Sequence, residues 1–283
     1  MLSRLQRFLP QHLLSSFAGL LANCKVHWLK NKLIQYFVWR YPVNLAEALN
    51  PTPYTYACFN DFFTRALKPE GRPIANGIHD LVSPVDGQIS QLGTIAEGKI
   101  FQAKGHHFTA EELLGGDTTL AESFVNGSFL TVYLAPKDYH RVHMPIDGVL
   151  TQMIYVPGSL YSVNFKTTSC TPNLFARNER VIAIFNTSIG RVAVVLVGAM
   201  IVGSIEMIST GTITPPRLKS IQIWDHLEHP IYLKRGEELG RFKLGSTVIL
   251  LFEENKVTWD PPFAATALVQ FGQRIGSFKP DQW

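Results

Sequence analysis

The sequence predicts an α+β fold that is mostly β: an antiparallel sandwich or partly closed barrel, preceded by amphipathic helices. Three observations carry that expectation. Apolar residues recur at helical spacing near the N-terminus, where Leu2, Leu5, Leu9, Leu13, Phe17 and Leu20 form one stripe. Beyond Pro73 the pattern changes to short β-branched runs, such as residues 129–134, 181–185 and 191–197, separated by Gly, Pro, Asn and Asp. Two Asp-Gly pairs, Asp86-Gly87 and Asp147-Gly148, sit between apolar residues, which is a strong short turn signal.

The chain has 283 residues, enough to bury a substantial core. It divides into a helical segment over residues 1–50 and a β-rich domain over 51–283. Hydrophobic content of 46% and charged content of 17% place it at the greasy end of soluble proteins. The net charge of +4 comes without a Lys/Arg run, which argues against a nucleic-acid partner. Cys24, Cys58 and Cys170 are odd in number and far apart, so neither a disulfide framework nor a structural zinc site is expected. A reducing, cytosol-facing location fits that usage.

The N-terminal segment is basic and aromatic. Arg4, Arg7, Lys25, Lys30, Lys32 and Arg40 are its charges, and the first acid is Glu47. Pro10 marks a break or restart, and a second helical pattern carries Trp28, Leu29, Leu33, Tyr36, Phe37 and Trp39. A membrane-spanning helix needs about 20 apolar residues, more than the uncharged stretch between Arg7 and Lys25 supplies. Leu21-Ala22-Asn23-Cys24 is a poor cleavage site for a secretory signal, while a mitochondrial transit peptide fits the composition. A pair of interfacial helices fits best, with Trp and Tyr at the head groups and Lys and Arg near anionic lipid. Its rival is a helical cap that packs the apolar stripe onto the main domain.

In the middle of the chain, prolines end the segment Asn60 to Pro69 and the Arg72-Pro73 pair follows. Ser83-Pro84-Val85-Asp86-Gly87-Gln88-Ile89 is echoed by Met144-Pro145-Ile146-Asp147-Gly148-Val149-Leu150. Two hairpin turns account for the echo most simply, and a duplicated β unit is the alternative. Tyr139-His140-Arg141-Val142-His143 is bracketed by Pro136 and Pro145, so it reads as a loop. Two histidines three apart would point to opposite sides of a strand. Taken alone they divide between surface residues and acid–base groups, with the surface slightly favoured. No recognisable metal-ligand spacing accompanies them.

Near the C-terminus, Gly245-Ser246-Thr247 opens into Val248-Ile249-Leu250-Leu251-Phe252, the run expected to form a fully buried strand. Glycine leaves its own carbonyl uncrowded, and the next residue offers a hydroxyl one peptide bond away. Gly-Ser recurs at residues 127–128, 158–159, 203–204 and 276–277, so the pair alone is also compatible with a turn.

Taken in order, these pieces resemble the bacterial phosphatidylserine decarboxylases. The resemblance runs through Phe62-Phe63-x-Arg65-x-Leu67-x-Pro69 with Arg72-Pro73, Ser83-Pro84-Val85-Asp86-Gly87, Tyr139 to Pro145, and Val156 to Asn164. It continues through Asn178-Glu179-Arg180, Val197 to Ile205, Gly211 to Pro216, and Gly240 to Thr247. It implies conversion of phosphatidylserine to phosphatidylethanolamine and CO2 by a proenzyme that cuts itself between Gly245 and Ser246. The products would be a β chain of residues 1–245 and an α chain of 246–283, forming a heterodimer whose further dimerisation stays open. Asp86, His143 and Ser246 match the self-cleavage triad, and His140 matches a residue of the decarboxylation step. Ser246 becomes a covalent pyruvoyl group, with no metal required. The implied location is peripheral, on the cytoplasmic side of the cell membrane. At Ser159 the chain departs from the family pattern, where an acidic residue is common, and Asp147 is a local rival to Asp86.

The chemistry explains the residue types. A serine hydroxyl is a poor nucleophile until a base takes its proton, and a histidine oriented by a carboxylate is the usual solution. The ester formed on the Gly245 carbonyl would revert unless elimination at Ser246 removed it, and hydrolysis of the dehydroalanine then leaves pyruvoyl. That ketone forms a Schiff base with the substrate amine and takes up the electrons released with CO2, as PLP does. His140 is suited to returning the proton. Two other classes fit the same residues: a serine hydrolase using Ser246, His143 and Asp86 without self-cleavage, and a membrane-tethered binding module.

Overall fold

A computed structural model describes residues 11–200, 204–214, 218–243 and 246–279. Leu2, Leu5, Leu9 and Gly245 therefore lie outside the described residues, as do Pro215 and Pro216. Helix α1, Gln11–Ala22, begins directly after Pro10 in the sequence, and α2, His27–Arg40, follows a short turn. The burial of α1 is inverted. Gln11, Ser15 and Ala22 face the protein, while Leu13, Phe17 and Leu20 are 63–73% exposed. A hydrogen bond from the Leu160 amide to Gln11 Oε1, 2.8 Å long, pins the polar face. For the described half of the stripe, Leu13, Phe17 and Leu20, packing onto the body is overturned: small and polar residues take that place. Helix α2 buries Ile34 and Phe37 and leaves Trp28, Tyr36 and Trp39 exposed. No described helix is long and apolar enough to cross a membrane.

Phe37 enters an aromatic cluster with Phe59, Phe62 and Phe63 of α3, Phe59–Phe63, at centroid distances of 5.2–6.1 Å. Edge-to-face pairs of this kind add about 0.5–1.5 kcal/mol beyond their buried area. The cluster ties the helical segment to the β body.

The body is antiparallel in every described ladder, so the expected α+β, mostly β class holds, without a closed barrel. Its strands run β1 Asp80–Val82, β2 Gly87–Thr94, β3 Lys99–Ala103, β4 His106–Thr109, β5 Ser128–Leu134 and β6 Arg141–His143. Then come β7 Gly148–Val156, β8 Arg180–Thr187, β9 Gly190–Val197, β10 Ser204–Met207, β11 Gly211–Thr214 and β12 Gln222–Asp225. The last are β13 Ile231–Leu233, β14 Glu238–Lys243, β15 Ser246–Phe252, β16 Val257–Trp259, β17 Leu268–Val269 and β18 Arg274–Phe278. A nine-stranded sheet has the path β12-β7-β8-β9-β15-β5-β2-β17, with β13 also on β7. A four-stranded sheet, β11-β10-β14-β6, and a three-stranded one, β1-β18-β16, pack on one face of it.

Alternation along β15 sets the layers. Val248, Leu250 and Phe252 meet Val142, Ile205 and Phe242 between the sheets, while Ile249 and Leu251 face a second core against Phe108, Leu113, Leu174 and Phe175. All of β15 is buried between β5 and β9. Each large apolar side chain there contributes about 1.5–3 kcal/mol of burial. If the chain were cut at Ser246, this strand would still hold the C-terminal piece.

The internal echo is a structural repeat, and neither copy is a hairpin turn. Gly87 and Gly148 open the long strands β2 and β7. The copies bond each other, Val82 N–H to Pro145 O at 3.1 Å and His143 N–H to Pro84 O at 2.9 Å. Each also clasps a turn from later in the chain. Gly272 and Ser83 N–H bond Ser83 O and Gln273 O at 3.0 and 2.8 Å, while Gly236 and Met144 N–H bond Met144 O and Glu237 O, both at 2.9 Å. Gly236 and Gly272 need their positive φ of 84° and 80° to make that turn. The aspartates close the circuit: the Phe271 amide donates to Asp86 at 2.8 Å, and the Arg235 amide to Asp147 at 2.7 Å.

Candidate active site

Ser246 is the first residue of β15, opposite Leu134 of β5, and is fully buried. By parity with Val248 and Leu250 it points between the sheets. The preceding strand, β14, ends at Lys243 in the other sheet, so the chain changes sheets just ahead of the serine. Among the described residues the Ser246 hydroxyl is buried without a hydrogen-bond partner, as are Thr247 Oγ1, Ser204 Oγ and His140 Nδ1. Each unsatisfied buried group costs about 1–3 kcal/mol, and such groups gather where chemistry needs them free.

His140 and His143 are both buried, which corrects the expectation of a surface loop. Aromatic lids are the reason. The His140 ring stacks on Phe63 at 4.1 Å and the His143 ring on Phe271 at 3.7 Å. A three-residue strand, β6, begins just after His140 and ends on His143, and the two rings meet different partners.

His140 is tied to the residues around Ser246. Its Nε2–H donates to the carbonyl of Ala135, the residue after Leu134, at 3.1 Å, and its own carbonyl accepts from the Phe242 amide at 3.0 Å. Its Nδ1 lone pair is therefore the free one. Burial first, and then the Arg65 charge, lower its pKa to about 3, so it is neutral at pH 7. His143 Nδ1–H donates to Gly236 O at 2.9 Å, which leaves Nε2 to accept from the Tyr139 hydroxyl at 2.9 Å. Burial lowers its pKa to about 4.

Asp86 is not hydrogen-bonded to His143 in this arrangement. Arg72 Nη2 donates to it at 2.6 Å and Nε at 3.1 and 3.2 Å, beside the Phe271 amide. Glu47 shares Arg72 at 2.8 Å, and with these partners the arginine's pKa is raised despite its burial. Asp86 lines a cleft of about 510 Å³ together with Arg65, Arg72, Lys137 and Tyr139. Asp147 instead holds Arg235 N–H and the exposed Tyr232 hydroxyl, away from that cleft. Ser159 is also remote from it, its amide bonded to Arg177 O at 2.9 Å.

The sequence reading assigned no role to Phe271, Arg72, Arg65, Tyr139 or Ser204. The signal for Phe271 was present: Gln270-Phe271-Gly272-Gln273 repeats Lys234-Arg235-Gly236-Glu237 around the paired Asp-Gly segments. Arg65, Arg72 and Tyr139 were visible only as motif letters.

The family model described as phosphatidylserine decarboxylase matches residues 59–277, and a second, described as PSD, matches residues 3–42. Curated proteins named phosphatidylserine decarboxylase proenzyme align over nearly the whole chain. One from Azotobacter vinelandii is 53% identical over 274 residues, and one from Pseudomonas putida 52% over 274 residues, each covering 96% of both chains. One from Hahella chejuensis is 51% identical over 271 residues, covering 96% of this chain and 91% of its own.

Proposed function

The chain belongs to the phosphatidylserine decarboxylase family, and we propose that it decarboxylates phosphatidylserine with a pyruvoyl group made from its own Ser246. The single observation that supports this best is the fully buried Ser246 hydroxyl, without a partner among the described residues, at a point where the chain leaves one sheet and enters another. In the uncut chain an external ester has no open path to that hydroxyl, which weighs against a serine hydrolase; the phospholipid amine needs a path only after the cut has freed that end of β15. A carbonyl one residue away needs no access.

In the first stage Ser246 Oγ attacks the Gly245 carbonyl carbon, its proton passes through a histidine to the Ser246 nitrogen, and the C–N bond breaks to leave an ester and a free amine. His143 is assigned as that base at Nε2, the nitrogen that accepts from Tyr139 in this arrangement. Its Nδ1–H bond to Gly236 fixes the tautomer, and Asp86 holds the Phe271 that covers the ring. Elimination at Ser246 then leaves the Gly245 carboxylate. Hydrolysis of the resulting dehydroalanine releases ammonia and leaves the ketone.

The site suits that group, since Ser246 and His140 present unfilled hydrogen-bonding positions in a water-poor layer. The pyruvoyl carbonyl supplies an electron sink for the bond that releases CO2. His140 Nδ1, neutral and unpartnered, takes a proton from the arriving ammonium and returns it to the headgroup carbon. The outward Leu13, Phe17, Leu20, Trp28 and Trp39 dock the protein at a bilayer interface, on the cytoplasmic side, where the lipid headgroup lies. The cut chains remain paired through β15. Borohydride tests the reading: it should abolish activity by reducing the ketone, whereas full activity after reduction would reject it.

A further inference from the structure

The cleft beside Asp86 contains two guanidinium groups in different electrostatic states. Arg72 is neutralised by Glu47 and Asp86 at 2.8 and 2.6 Å. Arg65 is 4% exposed, and among the described residues no carboxylate pairs with it. Its Nη2 donates to Lys137 O at 3.3 Å, and its Cζ stands 5.7 Å over the Phe62 ring. Nε and Nη1 are buried and donate to nothing among the described residues. Asp86, Glu47 and Asp138 act on the Arg65 charge only from a distance, so a buried guanidinium with idle N–H groups stays costly, and an arriving anion would satisfy those groups. Nη2 keeps a second N–H, so with either Nε or Nη1 it offers a two-toothed fork to two oxygens of one anion.

Resting on the proposed decarboxylation, we propose that Arg65 binds the phosphodiester of the phospholipid substrate through this fork. The headgroup offers two anions, and the chemistry selects between them. The carboxylate loses its charge when it becomes CO2, so a guanidinium on it would stabilise the ground state and slow the reaction. The phosphodiester stays anionic throughout and can be held without that penalty. Position agrees. Phe62 lies under Arg65 while Phe63, its neighbour, stacks on His140, so one short segment sets the anion site beside the proton-transfer site. A bound phosphodiester would also offset the Arg65 charge that helps hold His140 neutral.

The test compares wild-type protein with Arg65→Gln and Arg65→Lys, using short-chain phosphatidylserine in detergent micelles. Wild type should be cut and active, which checks the underlying decarboxylase reading separately. Arg65→Gln should also be cut, with KM raised on the order of 10- to 100-fold and kcat changed by less than about threefold. Arg65→Lys should fall between. A lowered kcat with unchanged KM would overturn the proposal and place Arg65 on the reacting atoms. Calorimetry on the wild type decides even if a variant fails to fold or no turnover occurs. Glycerophosphoethanolamine should bind at least about tenfold more tightly than ethanolamine, and equal affinities would refute a phosphate site.

Discussion

The Phe271 ring lies on the His143 ring with centroids 3.7 Å apart and planes 17° from parallel. The same residue's amide donates to Asp86 at 2.8 Å. Carboxylate and imidazole are thus coupled through one residue, without a direct hydrogen bond between them. Phe271 lies on the C-terminal side of the proposed cut, while Asp86 and His143 lie on the other side.

That coupling separates the two aspartates of the repeat. Asp86→Asn loses the charge that Arg72 and the Phe271 amide share, and should leave the chain uncut while still folded. Asp147→Asn changes an equivalent circuit away from the cleft and should be cut normally. Denaturing gels after expression check both, and an uncut Asp147→Asn protein would contradict the assignment.

His140→Ala removes the free Nδ1 but none of the groups assigned to the first stage. It should cut itself and then decarboxylate about 10²- to 10⁴-fold more slowly, the usual range for a lost acid–base group. Product release from phosphatidylserine measures this. Failure to cut would move His140, which is bonded to the residues flanking Ser246, into the role of first-stage base.

Acid should destabilise the fold through both histidines. Their folded pKa values, about 3 and about 4, lie below the ordinary value of about 6.5. Between those limits the unfolded chain binds protons that the folded chain refuses, so stability is full above pH 6.5 and falls as pH drops toward 4. From pH 7 to pH 5 each histidine should remove about 2 kcal/mol. Urea midpoints of the Ser246→Ala protein, which stays one chain, should fall over that range. The fall should be smaller in the same protein carrying His143→Gln, and an equal fall would contradict the assignment.

Much of the fold was legible because each strand announces itself locally. The run from Val248 to Phe252 could only be a buried strand, and the Asp-Gly echo was visible as letters. Its meaning was not, because the clasp that makes it a repeat joins residues 83–87 to 270–273 and 144–148 to 234–237, across separations that no local pattern records. The two histidines were legible as a pair but not as buried, since the rings that cover them, Phe63 and Phe271, come from opposite ends of the chain. The outward stripe of α1 was the hardest to read: periodicity gives an apolar face, and only the contact of Gln11 with Leu160 says which way it points.

That stripe carries its own expectation. Leu13→Ser, Phe17→Ser and Leu20→Ser together touch only exposed side chains, so folding and self-cleavage should proceed. Flotation with vesicles containing anionic lipid should show reduced binding. Undiminished binding would remove α1 from the docking surface.

The most direct measurement is the intact mass of the purified, active protein. Two chains are expected, residues 1–245 and 246–283, the second beginning with a pyruvoyl group in place of Ser246. A single active chain, or a C-terminal piece carrying an unmodified serine, would contradict the central claim.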